Sequence, residues 1–344
     1  MNTRLLLAVS ALCAGALPAH AQLGPELFGI THFFGGPDVT TVRGYGMGGA
    51  AATMGGVNSP NPAHAAYLDS YEASVRYGRT SFASGTRFDA TFVAASVPLG
   101  KKDGLKFIYG DVRSPESASF ASVVFPGSTQ KFHEVSAGAF YGRQVTEKLS
   151  LGIGLAPLLL TNHRLKNVGA PGVDIEIEGK PLANSLKRLG GRFGADYKFA
   201  PWGRASVFYD NYWERAKIKV PTALAPTGLK SQSGDFHEVN LTAGVQIQPL
   251  RHLTLVAERQ RITASSQTFN SKVHNTLLGA EYEVRPGVAL RVGSNDGHST
   301  FGLGLTRGQF NLQIARVKNY ADDELRPIFG SGNKLTCVEL GYTF

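Results

Sequence analysis

From about Glu72 to the C-terminus the chain is a succession of runs, each roughly ten residues long, in which apolar and polar side chains alternate. In one run Val239, Leu241, Ala243, Val245 and Ile247 share a face, and Asn240, Thr242, Gly244 and Gln246 share the other. Leu253, Leu255 and Ala257 repeat the apolar face, as do Phe310, Leu312 and Ile314 against Asn311 and Gln313. A period of two is a β-strand, and apolar-out, polar-in alternation is what a strand between lipid and a wet lumen requires. A soluble β-sandwich produces the same alternation, so the pattern of one strand decides little.

The connections between the runs decide more. The alternation predicts strands at 72–79, 87–97, 104–112, 131–142, 148–161, 189–199, 203–213, 236–248, 252–262, 274–284, 287–294, 299–306, 309–318 and 335–344. Every second connection is tight: Pro98–Asp103, Arg143–Glu147, Ala200–Trp202, Pro249–Arg251, Arg285–Pro286 and Arg307–Gly308. Most of the others are long: Arg113–Gln130, Asn162–Lys187, Glu214–Asp235, Thr263–Val273 and Asn319–Lys334. Short periplasmic turns alternating with long extracellular loops, over an even number of strands, describe a bacterial transmembrane barrel. The expected fold is therefore all-β, a transmembrane antiparallel β-barrel of about 14 strands. Val338, Leu340, Tyr342 and Phe344 alternate up to an aromatic last residue. This resembles the terminal strand read by the barrel-assembly machinery, with Leu340, Tyr342 and Phe344 as its signal.

Aromatic residues near strand ends (Tyr109, Phe140, Tyr141, Phe199, Trp202, Tyr209, Tyr212 and Trp213) suit girdles at the two membrane interfaces. Glu258, Glu281, Arg291, Arg316 and Glu339 fall inside predicted spans. A midplane Arg facing lipid costs roughly 2–4 kcal/mol, so these five are expected in the lumen or near an interface. Arg291 and Arg316 share parity with apolar neighbours, which leaves register, a bulge or depth to account for them.

The N-terminus reads differently. Arg4 followed by the apolar stretch Leu5–Leu17 and Ala19-His20-Ala21 predicts a signal peptide, 1–21, cleaved near Ala21. Its apolar stretch is too short to span a bilayer as a helix. Residues 22–70 are rich in Gly, Ala, Pro and Asn and lack sustained alternation. That is too long for a linker, and its apolar residues (Leu27, Phe28, Ile30, Phe33, Phe34) need burial. The lumen of a barrel formed by 71–344 is the available place, so 22–70 is expected to be an N-terminal hatch.

Within this segment, Arg43-Gly44-Tyr45-Gly46-Met47-Gly48-Gly49-Ala50-Ala51 and then Asn58-Ser59-Pro60-Asn61-Pro62-Ala63 resemble the N-terminal signature of the FadL/TodX transporters of long-chain fatty acids and other hydrophobic compounds. In that family a Gly/Ala-rich stretch leads to an Asn-Pro-Ala triplet, matched by Asn61, Pro62 and Ala63. The runs Gly279–Tyr282 and Leu290–Gly293 resemble its late hairpins. The resemblance implies a hatched 14-stranded barrel in the outer membrane, passing a hydrophobic small-molecule ligand passively from an extracellular groove to a lumenal site and sideways into the membrane. The ligand or gating residues expected on this reading are Phe28, Phe33, Phe34, Asn61, Pro62 and Ala63. This chain is short and has no obvious long helical extracellular loop. The triplet also occurs in a PorV-like branch of type IX secretion, so secretion-system proteins are alternative partners, and a structural barrel is a further alternative. Physically, Pro62 restricts φ and pushes Asn61 towards extended geometry, and Asn61 can bond nearby backbone. A rigid corner is at least as good an account as a gate.

Composition narrows the picture. Of the two cysteines only Cys337 survives signal cleavage, so no internal disulfide forms. Forty-one glycines and 18% charged residues suit a barrel. The net charge of +9 fits basic surfaces at an anionic membrane, and no nucleic-acid motif accompanies it. Gly44-x-Gly46-x-x-Gly49 matches a dinucleotide fingerprint in letters only, because no βαβ unit surrounds it. The histidines lack metal-ligand spacing and no G-x-S-x-G elbow exists. No cofactor, metal or catalytic residue is implied, and the chain is not expected to be an enzyme. The expected partners are outer-membrane lipid, the barrel-assembly machinery and the hydrophobic ligand.

Overall fold

The computed structural model describes residues 40–82, 85, 87–118, 127–155, 158–168, 171–181, 190–227, 231–265, 270–318 and 334–344. The strands are β1 (Glu72–Ser81), β2 (Arg87–Pro98), β3 (Asp103–Ala118), β4 (Thr129–Gln144), β5 (Leu149–Leu155), β6 (Leu158–Lys166), β7 (Ile175–Pro181) and β8 (Gly191–Ala200). They continue as β9 (Gly203–Lys219), β10 (Gln232–Leu250), β11 (Leu253–Ser265), β12 (Asn270–Arg285), β13 (Val288–Asn295), β14 (His298–Arg307), β15 (Phe310–Lys318) and β16 (Lys334–Thr343). β5 and β6 both pair with β4, and β7 and β8 both pair with β9. Each of these two pairs is thus one interrupted stave, and sixteen segments make a ring of fourteen staves. The ring closes where β16 meets β1, with Glu72 opposite Thr343 and Ser81 opposite Lys334. All neighbours are antiparallel, as expected from the even rhythm of connections.

The alternation read from the sequence sorts outside from inside. Leu241 and Val245 on β10 are exposed on the outer wall, while Asn240 and Thr242 are buried towards the lumen. Val75, Val93, Phe107, Ile153, Leu278, Leu290, Val292, Phe301 and Leu340 extend an exposed apolar band around the ring. So much apolar surface facing outward is stable only against lipid. Of the expected girdle aromatics, Tyr109 and Phe199 are exposed on the wall and Trp202 is exposed in the turn between β8 and β9. Phe140 and Tyr212 are instead buried on the inner face.

The staves run further at the loop end than the alternation predicted. Much of the expected loop 162–187 is a β6–β7 hairpin, and β9 and β10 reach Lys219 and back to Gln232. The reason is a reversal of polarity. Leu165, Ile175, Ile177 and Ile218 point inward and form a buried cluster with Val168, Ala216 and Leu224. Arg164, Glu178 and Lys219 point outward and pair as Arg164–Asp174 and Lys219–Glu178. Beyond the lipid the wall behaves as an ordinary soluble sheet, apolar inside and charged outside, and a search for lipid-facing apolar residues passes over it.

Arg291 corrects the expected parity. Its inward neighbours along β13 are Ala289 and Gly293, and Leu290 and Val292 face out, so Arg291 lies in the lumen. Arg316 does face outward, two residues from the loop end of β15. Glu258 and Glu281 face inward.

Candidate functional site

The segment 40–70 touches staves on every side of the ring, which only an interior path allows. The Thr40 carbonyl accepts from Arg76 on β1 (2.5 Å), and Arg43 pairs with Glu281 on β12 (2.5 Å). The Gly48 amide donates to Thr300 on β14 (2.9 Å), and Asn58 donates to Ser74 on β1 (2.6 Å). Lys106 on β3 donates to the Gly56 carbonyl (2.7 Å), and Tyr67 donates to Asp196 on β8 (2.6 Å).

Local chemistry explains the segment's shape. Thr41 caps a short helix α1 (Val42–Gly46), its hydroxyl accepting from the Gly44 amide at 2.9 Å. Gly48 has φ +79° and its Cα lies against the carbonyls of Leu278 and Ser294, so a side chain there meets both strain and overlap. After it, the chain passes over Glu258. That carboxylate accepts from the amides of Ala51 (2.8 Å), Ala52 (3.1 Å) and Thr53 (2.8 Å) and from the Thr53 hydroxyl (2.6 Å). Consecutive amides turned towards one anion form a charge-assisted clamp.

The Asn61-Pro62-Ala63 corner comes next. Asn61 is wholly buried and N-caps a 3-10 helix over Pro62–Tyr67. Its Oδ1 accepts from the Ala63 amide (3.0 Å) and its Nδ2 donates to the carbonyls of Ala52 (2.8 Å) and Val207 (3.3 Å). One side chain therefore ties the segment to itself and to β9. The wall makes room with glycines. A Cβ at Gly152 would overlap Pro62 and the Ala63 amide, one at Gly194 would overlap Asn61 Oδ1, and one at Gly104 would overlap the Ala65 carbonyl. At the far side Gly279 and Gly293 do the same for Met47 and Gly48.

Two polar networks lie against the segment. Glu281 receives both Arg43 and Arg291, and Arg291 also bonds Gln313 on β15. Beneath the 3-10 helix, Ser59 Oγ is 2.7 Å from His64 Nδ1, and His64 Nε2 is 3.9 Å from Asp196 Oδ1, beyond hydrogen-bond reach. Asp196 also accepts from Ser206 at 2.5 Å. Burial pushes the His64 imidazole below its ordinary value of 6.5, and the charge of Asp196 offsets part of that shift. The order Ser59, His64, Asp196 superficially matches a nucleophile relay. All three side chains are sealed, with Ser59 wholly buried, so they act here as packing and positioning groups. Among the described residues no cluster suited to a metal ion occurs.

Of the candidate residues read from the sequence, Asn61, Pro62 and Ala63 are brought together inside the ring, and Phe28, Phe33 and Phe34 lie outside the described residues, as do residues 1–21. Leu340 and Phe344 are exposed on the outer wall, where Tyr342 packs edge-on between Phe310 and Phe344. Sequence reading placed Glu258, Glu281 and Arg291 among charges needing a lumen or an interface, without assigning them partners. It missed Arg76, Lys106 and Asp196. A buried cation among inward-parity residues of β1 and β3 was the signal available for the first two.

The chain folds like several solved barrels. The Ralstonia pickettii toluene transporter TbuX matches at 14% identity over 90% of this chain and 99% of its own, with a TM-score of 0.62. The Pseudomonas putida toluene transporter TodX matches at 13% identity over 87% of this chain and 96% of its own (TM-score 0.55). A Pseudomonas aeruginosa FadL homologue matches at 13% identity over 89% of this chain and 98% of its own (TM-score 0.56). No protein-family model matches the sequence, and no curated protein matches it.

Proposed function

We propose that this chain, FadL/TodX-like in fold, is an outer-membrane passive transporter of hydrophobic small molecules of the long-chain-fatty-acid type, with its N-terminal segment as hatch. The observation that supports the reading is the segment 40–67, which bonds inward-facing side chains and backbone of staves far apart around the ring. A plugged barrel suits a ligand that crosses by partitioning, because such a ligand needs an apolar path with few polar groups. The fold shared with proteins described as toluene transporters supports a hydrophobic cargo. Phe28, Phe33 and Phe34 supply apolar ligand contacts in this reading, and Asn61, Pro62 and Ala63 hold the hatch in register. No cofactor takes part; the ligand gradient drives transfer.

The test is uptake into proteoliposomes of a labelled long-chain fatty acid, and separately of labelled toluene, by the intact chain and by an Asn61→Ala variant, both checked for heat-modifiable folding. Saturable uptake altered by the variant supports the proposal. Folded protein that neither binds nor passes either probe overturns it.

A further inference from the structure

On most of the outer wall near the loop end, cations are neutralised by acids one step away. Arg79 pairs with Asp89, Arg113 with Asp111, Arg215 with Asp235, and Lys219 with Glu178. The β11–β12 hairpin departs from this. Between Arg259 and Thr276 the chain has no acidic residue, yet it carries Arg259, Arg261, Lys272 and His274. All four are exposed on the outer face, and none of them forms an ion pair among the described residues. Arg261 lies directly opposite His274, and Lys272 is diagonal to it, opposite Thr263. Such neighbours have Cβ atoms roughly 5 Å and 7–8 Å apart. Arg259 reaches across to donate to the Thr276 hydroxyl. Asp296, at the neighbouring turn, accepts from the Thr276 amide at 3.4 Å.

The position of the cluster is as informative as its charge. Along β11 the outward residues change from Leu253, Leu255 and Ala257 to Arg259 and Arg261 in one step. Along β12 they change from Tyr282, Ala280 and Leu278 to Thr276, His274 and Lys272. On β10, Leu241 faces Arg261 and Ala243 faces Arg259, and Leu241 and Leu278 are both exposed. The cations therefore border lipid-facing side chains, where headgroups meet the acyl chains of a bilayer. Unpaired like charges this close repel one another, and an Arg beside lipid costs energy that grows with depth. An anion with an acyl chain attached relieves both. Arg316, Lys318 and Lys334 form a comparable set, but they flank residues 319–333, which include acids outside the described residues.

We infer that the outer face of the β11–β12 hairpin binds a phosphate-bearing lipid of the outer leaflet, with Arg259, Arg261 and Lys272 on the phosphate and Leu241 and Leu278 against the acyl chains. Lys and Arg beside an anionic leaflet each add binding, and guanidinium forks grip phosphate in two places.

The test is native mass spectrometry of the full chain in a neutral detergent, titrated with diphosphoryl lipid A, with phosphatidylethanolamine as a zwitterionic comparison and inorganic phosphate as competitor. The triple variant Arg259→Gln, Arg261→Gln, Lys272→Gln is expected to bind lipid A at least about tenfold more weakly. Arg307→Gln, at the turn end of β14, is expected to bind as the wild type does. Unchanged binding by the folded triple variant, or equal retention of phosphatidylethanolamine, overturns the inference. Displacement of the lipid by inorganic phosphate at matched concentration overturns it in favour of a free-anion site. Should the triple variant lose its heat-modifiable fold, Arg261→Gln and Lys272→Gln singly decide: each must weaken binding, and wild-type binding by both overturns the inference.

Discussion

Individual side chains carry the attachment of the inner segment to the wall. Glu258 anchors it at several points, because one buried carboxylate accepts from three consecutive amides and a hydroxyl. Replacing it by Ala leaves those donors unpaired, at a cost of about 3 kcal/mol or more. Hydrogen exchange is expected to rise selectively at Ala51, Ala52 and Thr53, and exchange unchanged there would show that the clamp contributes little. His64 adds a pH dependence. Its folded imidazole is held below the ordinary value of 6.5, so the unfolded chain takes up a proton first as the pH falls. The stability contributed by the neutral ring is complete above that value and declines as the pH drops through it. Denaturation midpoints of the wild type are expected to fall between about pH 7 and 5, with a shallower slope in His64→Gln. Identical slopes would remove His64 from the account.

Elements fit each other here by subtraction of side chains. β5 and β8 approach the Asn61–Ala63 corner closely because Gly152 and Gly194 present no Cβ. Gly152→Ala and Gly194→Ala are each expected to cost about 1–3 kcal/mol by overpacking against backbone or a fixed amide. The loss falls on the segment, not on the ring. Limited proteolysis of detergent-solubilised protein is expected to cut within 40–67 while the barrel stays heat-modifiable. Ala95→Val, on the outer face of β2, is expected neither to open 40–67 to cleavage nor to change heat-modifiability. At this scale the alternation of β10, β11 and β15 was legible because lipid and lumen impose opposite polarity on successive residues. The loop-end extensions of β6, β7 and β9 were not, because water and an apolar core impose the reverse pattern there.

For the molecule as a whole, closure of β16 on β1 removes free sheet edges, and on the proposed reading the inner segment plugs the lumen. In planar bilayers the intact chain is expected to show no large steady conductance. Deletion of residues 40–60 is expected to open one, provided the barrel still folds. A large steady conductance from intact protein would contradict a filled interior and the transport reading with it.

The sequence by itself determined the barrel: period-two alternation, the rhythm of turns and loops and an aromatic terminal strand are local consequences of lipid, water and backbone hydrogen bonding. It also marked Asn61, Pro62 and Ala63 as a stiff corner, since the restrictions of proline and the hydrogen bonding of asparagine act within a few residues. Only the tertiary structure decided what that corner rests on. Glycines at 104, 152 and 194, the carboxylates of Glu258 and Glu281, and the cations Arg76, Lys106 and Arg291 meet the segment from staves far apart in the chain. Ring closure and register bring them together, and parity along one strand says which way a residue points but not what stands opposite.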